Sequence, residues 1–308
     1  MTDTDIPILD WRRFASGQDI KGFVQDLGRA CRDTGFFLLT GHGVADTLIG
    51  DVFHQSETFF AQPMADKAPL DIRQSPHNRG WAAMGSEALD ENSGQMDRKE
   101  AFNVGLDLPA DDPRVLAAEP FRGVNVWPDQ PGFRDTMLAY YDAVLALGTA
   151  LHAAFESDLD IEPGFFAPHF SAPMATLRVL SYPASTEGIG AGAHTDYGSI
   201  TLLMCDGVPG LQVKPRGKDW TDVPHVPGAF VVNIGDCLAR WSNDIYVSTP
   251  HRVLPPPRPR RSIAFFLDPN PDSVIAALPG TGAPKYPAIT GADYLRSRLD
   301  ATYSPLPA

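Results

Sequence analysis

The chain has 308 residues, 43% of them hydrophobic and 20% charged, the make-up of an ordinary soluble globule large enough to bury a sizeable core. Lys and Arg number 25 against 38 Asp and Glu, a net charge of -13 at pH 7, so a polyanionic partner such as nucleic acid is excluded as an expectation. The stretch Met1-Thr2-Asp3-Thr4-Asp5-Ile6-Pro7 carries acid where a secretory signal carries base, and no unbroken apolar run reaches the roughly 18 residues that cross a bilayer. Cys31, Cys205 and Cys237 are few, odd in number and far apart, which predicts neither a disulfide framework nor a thiolate metal site. These features together predict a cytoplasmic protein with no membrane partner.

In chain order, Ile6-Pro7-Ile8-Leu9-Asp10 predicts a short strand, residues 19–34 a helix, and residues 35–40 a strand ended by Gly41 and Gly43. From Phe133 the apolar residues Met137, Tyr140, Val144, Leu147, Leu151 and Phe155 recur every three or four positions, the period of one long amphipathic helix over 130–157 backing a sheet. After Pro173 the texture changes to short β-prone runs separated by Gly and Pro: 176–182, 199–204, 210–214, 229–234, 246–254 and 262–267. Short strands at this spacing predict a sandwich or jelly roll. The expectation is one domain of β-rich α+β class: a mixed α/β region over 1–120, the backing helix, a β core over 173–270 and a C-terminal extension over 271–308.

His194-Thr195-Asp196 and the distant His251 supply two imidazoles and a carboxylate, the ligand types of a facial triad that holds ferrous iron and leaves positions open. In an extended segment residues i and i+2 face the same way, so His194 and Asp196 can share one ion while Thr195 points away. His-x-Asp alone is weak, since a lone histidine is more often packed or on the surface than a ligand. Arg260 and Ser262 form a second i, i+2 pair, presenting a guanidinium fork and a hydroxyl suited to a carboxylate. Arg178, Leu180 and Tyr182 share one strand face by the same alternation, which brings the Tyr182 hydroxyl within reach of that acid.

Three segments resemble one family closely: His194-Thr195-Asp196-Tyr197-Gly198; Ser242-Asn243 through Ser248-Thr249-Pro250-His251-Arg252-Val253; and Arg260-x-Ser262. They are similar to the iron(II) and 2-oxoglutarate dependent dioxygenases of the isopenicillin N synthase-like superfamily. Asp5 through Asp10, Gly35-Phe36-Phe37 through Gly41-His42-Gly43-Val44, and Arg98-Lys99-Glu100-Ala101-Phe102 resemble family segments too, so the likeness spans nearly the whole chain. It implies a double-stranded β-helix, a jelly-roll core flanked by helices. It also implies Fe(II) on His194, Asp196 and His251, with 2-oxoglutarate held by Arg260, Ser262 and Tyr182. Where many plant members have Asn two residues before that tyrosine, this chain has Leu180.

The reaction so implied consumes O2 and 2-oxoglutarate, forms succinate and CO2, and oxidises a small organic molecule, by hydroxylation unless substrate placement favours desaturation or ring closure. Ascorbate is an expected auxiliary reductant, and a reducing cytoplasm would keep the iron ferrous. Two other readings of the same residues are an iron oxidase of this fold that does not use 2-oxoglutarate and a non-catalytic jelly-roll binding protein. For the substrate, the resemblance implies that Arg79-Gly80-Trp81, Phe102, Trp241 and Phe266 lie near the barrel mouth, each equally explicable as core, and Arg178 is expected to face a carboxylate on substrate or cosubstrate. Pro255-Pro256-Pro257-Arg258-Pro259 predicts a stiff loop, His42 a turn, and His152 and His225 structural or exposed histidines.

Overall fold

A computed structural model describes residues 6–90 and 94–303, with side chains to residue 300; Asp5 of the first family-like segment and residues 304–308 of the C-terminal extension lie outside the described residues. The strands are β1 (Ile8–Asp10), β2 (Phe36–Thr40), β3 (Gly80–Ala82), β4 (Glu100–Gly105), β5 (Thr176–Tyr182), β6 (Ala191–His194) and β7 (Ile200–Cys205). They continue as β8 (Leu211–Val213), β9 (Thr221–Asp222), β10 (Phe230–Ile234), β11 (His251–Val253), β12 (Arg260–Leu267), β13 (Val274–Ile275) and β14 (Ile289–Thr290). An eight-stranded sheet runs β1-β2-β10-β7-β12-β5-β4-β3, a four-stranded sheet runs β6-β11-β8-β9, and β13 pairs with β14. This is the jelly-roll arrangement with flanking helices that the sequence predicts. The amino-terminal region does more than flank it, since β1 to β4 complete both edges of the large sheet.

Alternation along the strands separates two cores. On one face of the large sheet Leu177, Val179, Ile200, Leu202, Phe230, Val232, Ile263 and Phe265 pack with the buried side of the helix Phe133–Asp158, including Met137, Tyr140, Val144 and Leu151. On the other face Phe36, Leu38, Leu180, Val231 and Ala264 meet Ala191, Leu211, Val213 and Val253 of the small sheet. An 18-residue stretch of this helix has a mean hydropathy of 1.3 and is long enough to cross a membrane, which counting unbroken apolar runs does not reveal. Its apolar residues are spent on the first core.

The predicted strand over 246–254 shrinks to His251–Val253. Ahead of it the Tyr246 N–H is taken by Ser242 Oγ, the Val247 N–H by the Cys31 carbonyl, and Pro250 has no N–H to give. The helices Asp46–Phe60 and Gly291–Tyr303 and the strand β6 have no counterpart in the sequence reading.

Candidate active site

A cavity of about 190 Å³ lies between the two sheets, lined by His194, Asp196 and His251 together with the cavity-facing residues of β5, β7 and β12. β6 stops at His194, and Asp196 sits in the turn beyond it rather than on the strand. The three side chains converge all the same. His251 pairs directly with His194 across β6 and β11, their rings 4.3 Å apart. Asp196 Oδ1 lies 3.8 Å from His194 Nε2 and 3.5 Å from His251 Nε2. One ligand atom from each residue falls within 4.8 Å of the others, and this is the grouping of metal-ligand type found among the described residues.

Their surroundings prepare them as ligands. His194 Nδ1 faces the Gly192 carbonyl at 2.6 Å and His251 Nδ1 the Thr249 carbonyl at 3.3 Å, so Nδ1 carries the proton and each Nε2 lone pair points inward. Asp196 Oδ2 accepts from Thr201 Oγ1 at 2.5 Å and from Asn233 Nδ2 at 2.7 Å, which leaves Oδ1 for a metal. Burial, reinforced by His251, pushes His194 well below the ordinary imidazole range, to about 3. Burial opposes ionisation of Asp196, but His251, His194, Thr201 and Asn233 outweigh it and hold the carboxyl below its usual value. Two neutral imidazoles and a carboxylate are the protonation states a divalent cation needs, so the donor set fits Fe(II).

Arg260 opens β12 and pairs with Tyr182 of β5, its guanidinium 5.0 Å from the phenol ring centre. Its Nη1 reaches Ser262 Oγ at 3.4 Å, Nη2 reaches Cys205 Sγ at 3.3 Å, and among the described residues Nε has no partner. A guanidinium only 1% exposed, without a carboxylate and facing a cavity, fits a ligand that brings the anion. Leu180 also lines the cavity, opposite Ser262.

The substrate residues expected from sequence divide. Phe266 and Arg178 line the cavity, as does Arg79. Arg178 donates to Glu87, so its charge is already met by the protein. Trp81 and Phe102 lie on the opposite face of the sheet, in the core beneath the long helix, and the expectation for them is corrected. The strand alternation gives the cavity face of β4 to Asn103, turning Phe102 toward Phe59 and Phe133, at 4.9 and 5.2 Å between ring centres. Trp81 Nε1 is spent on Glu100 at 2.8 Å, and Trp241 packs against Phe166 and His169. His42 bonds the Gly228 carbonyl at 2.7 Å and accepts from the Val44 N–H in a turn. The clamp on Asp196 escaped the sequence reading, although Thr201 and Asn233 are polar residues on the inward face of otherwise apolar strands, a readable sign of a functional position.

Fold and triad together define a non-haem iron oxygenase of jelly-roll type. The 2OG-Fe(II) oxygenase superfamily matches residues 169–269, and the family of non-haem dioxygenase amino-terminal regions (non-haem dioxygenase in morphine synthesis N-terminal) matches residues 6–130. A 2-oxoglutarate-Fe(II) type oxidoreductase, hxnY of Emericella nidulans, is 38% identical over 98% of this chain and 92% of its own. A full-length Neurospora crassa protein, solved with alpha-KG and thymine, superposes with a TM-score of 0.84 at 33% identity, covering 97% of both chains. A Caulobacter crescentus protein of the 2OG-Fe(II) oxygenase family gives 0.87 at 30% identity, over 97% of this chain and 99% of that one. The chain belongs to the 2OG-Fe(II) oxygenase superfamily and is an iron(II)- and 2-oxoglutarate-dependent dioxygenase.

Proposed function

We propose that His194, Asp196 and His251 hold the iron, that Arg260, Ser262 and Tyr182 hold the distal carboxylate of 2-oxoglutarate, and that the enzyme hydroxylates a small organic molecule. The observation that carries this is the shared cavity: a poised triad and a buried guanidinium without an anion face the same 190 Å³ of space. Bound there, iron would couple decarboxylation of 2-oxoglutarate to activation of O2. The protein's part is positional. Thr201 and Asn233 fix Asp196, the Gly192 and Thr249 carbonyls orient the two imidazoles, and the apolar residues Leu180, Val253 and Ala264 limit water around the reacting atoms. The Neurospora crassa relative was solved with thymine, and another structural relative, JOX2, with a ligand abbreviated JA, which supports a small-molecule substrate. The Emericella nidulans relative, named for 2-oxoglutarate and Fe(II), and the Neurospora crassa relative, solved with alpha-KG, favour this reading over an oxidase without 2-oxoglutarate or a non-catalytic protein. A reducing cytoplasm is our proposal for its location, in keeping with three free cysteines.

The test is an anaerobic titration of the Fe(II) protein with 2-oxoglutarate, following the visible charge-transfer band of the chelated cosubstrate. The band should form in wild type and be lost in His194→Ala. Iron binding without a band would refute the cosubstrate assignment, and failure to bind iron would refute the ligand assignment.

A further inference from the structure

Four long cationic side chains, Arg79, Lys99, Arg178 and Arg260, line the cavity, and the protein neutralises only two of them. Lys99 donates to Asp97 and lies 3.4 Å from Glu87, while Arg178 donates to Glu87. Two carboxylates thus meet two cations. Arg260 and Arg79 are as deeply buried, 1% and 4% exposed, yet among the described residues neither has an ion pair, and the Nε of each lacks any hydrogen-bond partner. Arg79 Nη1 finds only the His77 carbonyl, at 2.9 Å. Arg122, also buried, donates to the carbonyls of Ala172 and Pro173 and adds charge of the same sign beside it. Burial pushes Arg79 down to about 10, which still leaves it charged at neutral pH.

The seat of this guanidinium is a gap in the sheet. A Cβ on Gly105 would stand 1.9 Å from Arg79 Cζ, so only glycine at the end of β4 lets the guanidinium lie there. Register then locates it. Asn233, Thr201, Phe266, Thr176 and Gly105 form one row across β10, β7, β12, β5 and β4. The row starts at the clamp on Asp196 and ends at Arg79. Thr201 and Gly105 are three strand spacings apart, about 14 Å between backbones, which the side chains narrow to the span of a small molecule. Arg260 lies at the other end of β5, level with Tyr182, six residues or about 20 Å along the strand from Thr176. The two bare guanidiniums therefore serve different parts of the cavity. Near Arg79 a second buried atom is unmatched: among the described residues Asn103 Oδ1 has no donor, while Nδ2 of the same side chain reaches the Asn78 carbonyl at 3.3 Å.

We propose that the substrate is a carboxylate-bearing small molecule, its carboxylate gripped by Arg79 and an adjacent N–H or O–H donated to Asn103 Oδ1. This rests on reading the cavity as the oxygenase site: a cavity that takes two ligands carries two unmatched guanidiniums, one for each. A buried cation without an anion is costly, and a ligand carboxylate removes that cost with paired, charge-assisted bonds. Arg79 and Arg122 also give the cavity a local positive potential on a chain whose net charge of -13 would otherwise repel an acid.

The experiment titrates anaerobic protein loaded with Fe(II) and 2-oxoglutarate, by calorimetry, with pyrrole-2-carboxylate and with its neutral amide. These single-ring probes share a ring N–H and differ in charge. In wild type the acid should bind at least about 10-fold more tightly than the amide. Arg79→Gln should erase that preference and Arg79→Lys keep part of it, with 2-oxoglutarate affinity unchanged in both. Gly105→Ala, which crowds the guanidinium and leaves every charge in place, should weaken the acid alone and decides the matter if Arg79→Gln does not fold. Acid and amide behaving alike in wild type, including neither binding, overturns the proposal, as does an acid preference that survives Arg79→Gln or falls together with 2-oxoglutarate affinity. Absence of the 2-oxoglutarate band in wild type sinks the reaction assignment, whereas an intact band without acid preference sinks only this inference.

Discussion

The two faces of the large sheet are made by the same strands and do opposite things. Toward the long helix β5 and β12 present Leu177, Val179, Ile263, Phe265 and Leu267; toward the cavity they present Arg178, Tyr182, Arg260 and Ser262. The first set acts through volume and buried area, in which any one side chain is a fraction of a shared total. The second acts through direction and charge, where each group has one position to fill and no substitute. A period of two in the chain thus allots stability and chemistry to alternate residues.

The widest separation should come from comparing one residue on each side of that division. His251→Ala should abolish tight iron binding and turnover while keeping a thermal midpoint close to that of the metal-free wild type. Phe265→Ala should cost about 3–5 kcal/mol by denaturant titration while the folded fraction still binds iron. A His251→Ala protein as unstable as Phe265→Ala would break the division. Next in size, Arg260→Ala removes a charge-assisted contact to a carboxylate, about 1.5–3 kcal/mol, and should raise the 2-oxoglutarate requirement roughly 10-fold to 100-fold. Equal loss of iron affinity in that variant would show that the cavity face does not act through separate groups.

The smallest effect tests the helix side. His152 is buried on the long helix, Nδ1 donating to the Gly148 carbonyl and Nε2 accepting from Ser199 Oγ, and the second bond needs a neutral ring. Burial pushes its pKa from 6.5 to about 4. The unfolded chain therefore takes the proton first, so this contribution is complete above pH 6.5 and declines as pH falls toward 4, by at most about 1.4 kcal/mol per pH unit. Denaturation midpoints at pH 7.5 and 5 should show a shallower decline for His152→Gln than for wild type. An unchanged slope would assign the acid sensitivity to other groups.

Much of this was legible in the chain because it is local. Period-two alternation gives β5 its bounds and puts Arg260 with Ser262, and period 3.6 gives the long helix. What alternation leaves open is which of two faces is which, so Trp81 and Phe102 read equally as pocket or core until β4 is paired with β5. β6, Ala-Gly-Ala-His, carries almost no strand propensity and exists because β11 pairs with it. The bareness of Arg79 depends on which carboxylates reach Arg178 and Lys99 instead, and no short segment encodes such a choice.

The direct pairing of His194 with His251 has one more consequence. The small sheet is built of strands two to four residues long, with a register shift between His251 and Val253, and has little of its own to hold it shut. An ion shared by the two rings and Asp196 would act as a rivet through neighbouring strands, closing the chain between residues 194 and 251. Metal occupancy and the firmness of the cavity's thinner wall would then be one equilibrium, with the stripped protein softer at the place where it must be most exact in shape.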